Sequence, residues 1–202
     1  MKERLRWVPS FITGAAAATT ATVAVALLLY SGEGMLRSLT SIVAVELAAV
    51  GLGLGLAPPV PAGRAEAMKS LRKRWLFVLV TFLVASIFVL AWMFTVGFGA
   101  RAGTQALGLA LLAGLPLYAS GYLLAAISAD DLGIGNRSTG AFATIGAAGG
   151  VLVTGLSSLG RVGVPSLMFL MLMLLSGGAL VQAWLIDNRA SLVVSDRESE
   201  VR

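Results

Sequence analysis

Apolar residues along this chain gather into six long runs, and the charges fall between them. The runs are Pro9 to Tyr30, about Leu36 to Leu56, Trp75 to Phe98, about Gln105 to Ser128, Gly140 to Leu159, and Val164 to Ile186. Wound as a helix at about 1.5 Å per residue, each run can cover a hydrocarbon core of about 30 Å. The pattern predicts an all-α fold, a polytopic membrane bundle of six transmembrane helices. Residues 1–8 would form a short N-terminal segment, 9–186 the transmembrane domain, and 187–202 a charged, partly disordered tail. Pro58, Pro59 and Pro61 end the second run. Lys2, Arg4 and Arg6 look like the start of a signal peptide. The run behind them is too long for a cleaved apolar region and offers no convincing cleavage site before Glu33, so a retained helix is expected. The longest connection, Ala57 to Arg74, leaves no room for a soluble domain.

Charge then orients the bundle. An even number of spans puts both termini on one side. That side holds twelve of the fifteen lysines and arginines: Lys2, Arg4 and Arg6, the five in the Arg64–Arg74 stretch, Arg137, and Arg189, Arg197 and Arg202. The other side holds Arg37, Arg101 and Arg161. The positive-inside rule places both termini in the cytoplasm of a cell (inner) membrane protein. The same bias accounts for the net charge of +5 without nucleic acid as a partner. Apolar residues make up 57% of the chain and charged ones 12%, about half the usual charged share of a soluble domain.

The chain has no cysteine and no histidine. A disulfide framework, a thiolate metal site and imidazole ligation are therefore excluded, as are Ser–His and Cys–His catalysis within the chain. No cofactor or metal is expected. Intramembrane hydrolysis usually needs paired acids or a Ser–Lys pair, and the helix interiors show neither, so an enzyme is not expected.

Glu46 stands out against this background. No acidic or basic residue lies within eight positions of it on either side. An acidic residue at the centre of a span costs roughly 2.5–3.5 kcal/mol on insertion scales. Such a carboxyl protonates, pairs or lines a wet cavity. Two readings remain open: a group coupling proton or cation movement to conformational change, or a protonated acid bonded to another helix.

Small residues mark the helix faces. Gly146, Gly150 and Thr154 fall four apart in the fifth run, broadened by Ala143 and Ala147. Gly51 and Gly55 repeat the spacing in the second run, and Gly14, Ala18, Thr22 and Ala26 in the first. Such faces let backbones approach closely in lipid. They serve static packing, dimerisation or a mobile interface beside a substrate path. Pro116 should kink the fourth helix, and Tyr118 and Tyr122 share a face just beyond it. They line a polar pocket or bond to neighbouring backbone. Asp130 and Asp131 could bind a metal or gate against Arg137, or simply solvate a loop. Arg161 would snorkel at the outer interface. Arg72, Lys73 and Arg74, beside Trp75, should sit among lipid headgroups.

With both termini inside, a basic loop carrying Gly63-Arg64 and Arg72-Lys73-Arg74, and an arginine followed by a glycine-rich fifth helix, the chain resembles a six-helix half of a major facilitator superfamily transporter. The loop is longer than the family's and lacks its aspartate. The segment Leu115-Pro-Leu-Tyr-Ala-Ser-Gly-Tyr, with the fifth helix, is similar to the membrane portion of spermidine-synthase-like proteins, without their catalytic domain. The resemblance implies a half unit that must pair, most simply as a two-fold homodimer. Glu46, Tyr118 and Tyr122 would line the central cavity. The alternative is a non-transporting membrane scaffold or partner subunit.

Overall fold

The computed structural model describes residues 7–30, 35–61, 64–95, 113–128, 139–156, 163, 166 and 169–184. The helices are α1 (Val8–Tyr30), α2 (Met35–Gly55), α3 (Arg64–Thr95), α4 (Leu115–Ser128) and α5 (Thr139–Leu156). The sixth, α6, is Phe169–Trp184. The described residues contain no strand. Among them one helix is long and apolar enough to cross a membrane, over Val8–Leu27. The other apolar stretches are shorter, for example Thr40–Gly55 and Thr139–Thr154. Asp130, Asp131, Arg137, Arg161, Arg101 and the tail 187–202 lie outside the described residues, as does the first part of the fourth run.

The largest departure from the sequence pattern is at the start of α3. The basic stretch expected as a connection is helical from Arg64 onward, giving a helix of 32 residues. Its residues explain this. Arg-Ala-Glu-Ala-Met-Lys and Leu-Arg-Lys are strong helix formers, and Glu66 sits in the first turn, where the helix dipole favours an acid. The prolines after α2 hold only the short remainder open.

Pro116 lies one residue into α4, and residues 113–114 just before it form a π-helical turn. Proline has no N–H to donate, so a widened turn there needs no other cause. Eight of the fourteen residues of α4 are buried, which makes it the central helix. One core joins it to α3 and α6 through Leu71, Trp75, Phe82, Leu123, Ile127 and Leu175. A second joins it to α1, α2 and the far end of α3 through Val23, Ile42, Val89 and Leu117.

Close approaches fix the helix directions. Gly146 meets Phe11, Gly150 meets Ala15 and Thr154 meets Thr19, so α1 and α5 run parallel. Val45 meets Gly114 and Val50 meets Gly121, so α2 and α4 also run parallel. Phe77 packs on Tyr122 while Ala85 and Val89 share a core with Ala113, so α3 runs against α4. The faces turned away from these cores are apolar. Leu47 and Leu52 on α2, Leu76 and Ile87 on α3, Leu152 on α5, and Phe169 and Leu180 on α6 are all exposed.

Candidate functional site

The glycine faces divide into two kinds. A Cβ at Gly146 would fall on the Phe11 carbonyl, one at Gly150 on the Ala15 carbonyl, and one at Gly14 on the Ala143 carbonyl. Thr154 donates to the Gly150 carbonyl at 2.6 Å, and its oxygen lies 3.2 Å from the Thr19 hydroxyl. Gly51 and Gly55 behave differently: both are exposed, and a Cβ there would meet nothing within 4 Å among the described residues. In α2 the packing glycine is Gly53, whose Cβ would fall on the Tyr118 carbonyl. Helical rotation explains the exchange. Ile42, Ala49 and Gly53 form the buried stripe at spacings of seven and four, and the Gly51 and Gly55 positions turn away from it.

Glu46 belongs to that buried stripe, four residues after Ile42 and seven before Gly53. It is half-buried at the edge of the α2–α4 seam. It makes no hydrogen bond or ion pair among the described residues. No cluster of three acidic, histidine or cysteine residues that could hold a metal occurs among the described residues.

Tyr118 and Tyr122 lie elsewhere. Their rings stack at 6.3 Å, and Phe77 presents an edge to both, at 6.3 and 6.1 Å. The three rings, with Ser70, Lys73 and Arg74, line an open cavity of about 340 Å³ between α3 and α4. Glu46 is not among its lining residues. It sits about 10 Å along α2 from Gly53, the residue that touches the tyrosine backbone. Glu46 and the tyrosine face are therefore two separate places on the α2–α4 pair.

Arg74 is the residue that sequence reasoning missed. It was grouped with Arg72 and Lys73 as a headgroup cation. Arg72 and Lys73 are exposed, but Arg74 is only 2% exposed. Its Nη1 donates to the Tyr122 carbonyl at 3.1 Å and its Nη2 to the Pro58 carbonyl, tying the turn after α2 to α4. Its guanidinium carbon stands 4.5 Å over the Tyr122 ring, within cation–π range. Burial lowers its pKa from the ordinary value, and the neighbouring Tyr122 acts the other way. Arginine keeps its charge through such shifts. The signal was available once the segment is read as helix: Leu71, Arg74, Trp75 and Val78 fall on one face.

Trp75 donates its indole N–H to the Gln182 side chain, joining α3 to α6. Gln182 is the only amide in the last apolar run, a signal that sequence reasoning did not use. Comparison with family models, with curated proteins and with solved structures returned no match.

Proposed function

We propose that this chain is a six-span membrane protein with both termini in the cytoplasm, acting as a transporter-like half unit that works as a homodimer. Three features support the membrane reading. α1 is long and apolar enough to span. The outward faces of α2, α3, α5 and α6 carry large exposed apolar side chains, the kind of surface that marks a lipid or protein contact. The parallel pairs α1–α5 and α2–α4, with α3 opposed to α4, match the alternating directions of successive spans.

The observation that carries the transport reading is Glu46. A carboxyl on the buried stripe of a membrane helix, without a partner among the described residues, is a site for a proton or a cation. Uptake into proteoliposomes under an imposed proton gradient tests it. Gradient-driven flux in the native protein that disappears in Glu46→Gln supports coupling. Equal flux in both overturns it.

The open face of α2 favours a second reading, assembly with another membrane protein. Ala44, Ala48, Gly51 and Gly55 are all exposed along one stripe of α2. The chain has no cysteine, so Gly51→Cys would be its only thiol. Oxidative crosslinking of that variant in membranes to twice its mass supports the homodimer. Capture of a different chain supports the scaffold.

A further inference from the structure

Arg74 is a buried cation with no acidic residue beside it among the described residues. The Tyr122 and Pro58 carbonyls occupy two of its donor groups but cancel none of its charge. Its Nε is buried with no hydrogen-bond partner among the described residues. Buried charges in proteins are paired, because removing a cation from water is costly unless an opposite charge compensates. Among the described residues no acidic side chain lines the adjacent cavity, and a second cation, Lys73, does. Glu66, the acidic residue nearest on that helical face, lies one turn further out than Ser70 and is exposed.

The cavity is built for an anion with an apolar extension. Ser70, Lys73, Arg74 and Phe77 follow the helical spacing of one face of α3, so a hydroxyl donor, an ammonium and a guanidinium converge from one side. Tyr118, Tyr122 and Phe77 wall the other side. Beyond Phe77 the same helix exposes Val80 and Val84, an apolar track leading away from the charges.

We propose that this pocket holds the phosphate of an anionic phospholipid headgroup as the counter-ion of Arg74, with the acyl chains along Val80 and Val84. The inference rests on the membrane reading above but not on transport. Lys73 makes the direct charge contact, Ser70 donates to a phosphate oxygen, and Arg74 supplies a fixed charge from behind.

The test uses the full chain in a non-ionic detergent, titrated with phosphatidylglycerol and with phosphatidylcholine of the same acyl chains. Bound lipid is counted by native mass spectrometry. The expected result is retention of phosphatidylglycerol over phosphatidylcholine. Lys73→Gln should weaken that preference by about fivefold, the value of one interfacial charge, and Arg72→Gln, outside the pocket, should leave it unchanged. Equal loss in the two variants, or no preference in the native chain, overturns the proposal. Displacement of phosphatidylglycerol by an equal concentration of inorganic phosphate overturns the lipid assignment in favour of a free-phosphate site. The membrane reading fails separately, by release of the chain from membranes in alkaline carbonate.

Discussion

The α1–α5 and α2–α4 seams use one packing device to different ends. In both, a glycine on one helix accepts the backbone of the other: Gly146 against Phe11 in the first, Gly121 against Val50 in the second. At the start of the α1–α5 seam the Trp7 ring stands against Phe11 and Phe142, with centroids 5.4 and 5.9 Å away. Neither helix has an acidic or basic residue, and its polar contacts are threonine hydroxyls. The α2–α4 seam includes Glu46 on its buried stripe and ends beside the Arg74 and tyrosine pocket. Small residues thus mark where helices close. Ionisable groups enter only at the α2–α4 seam.

Mutations can break this comparison at graded points. The largest effect should come from Gly146→Leu, whose side chain would have to displace the α1 backbone itself. Overpacking of this kind costs about 3 kcal/mol or more, and the expected outcome is loss of folded protein by size-exclusion in detergent. Gly121→Ala adds one methyl group against the Val50 carbonyl and should cost about 1–3 kcal/mol, read as a lowered thermal midpoint. If the two seams differ only in cargo, Gly146→Ala should cost as much as Gly121→Ala. A much smaller loss at Gly121 would show that the α2–α4 seam is the one built to give. Thr154→Val removes the Thr19 contact and should cost about 0.6 kcal/mol, the average for polar contacts between membrane helices. Gly51→Ala, in open space, should change stability by less than about 0.5 kcal/mol; a large loss would show that a partner covers that face.

The sequence was informative wherever one residue type decides. Six apolar runs matched the positions of six helices, and the spacing of Gly146, Gly150 and Thr154 anticipated a common face. Among the described residues one helix, over Val8–Leu27, meets the length and hydropathy requirement for a span. Rotation around the helix axis was harder to read. Gly51, Gly53 and Gly55 look alike in a Gly-Leu-Gly-Leu-Gly string, and only the position of α4 selects Gly53. The same ambiguity hid Arg74 between two exposed cations. Its burial follows from treating Arg64–Lys73 as helix, and the count of basic residues suggested a loop instead. The tyrosine pocket was half visible. Tyr118 and Tyr122 announce a shared face by their spacing, but the α3 side chains that complete it come from about fifty residues away.

The pairing of α1 with α5 also sets a schedule. Thr19 and Thr154 stand 135 residues apart in the chain. At ribosomal speeds of 5–20 residues per second, the α1 face that receives the α5 glycines stays uncovered for on the order of ten seconds after it emerges. During that interval α1 has only lipid, the insertion machinery or another nascent chain against that face.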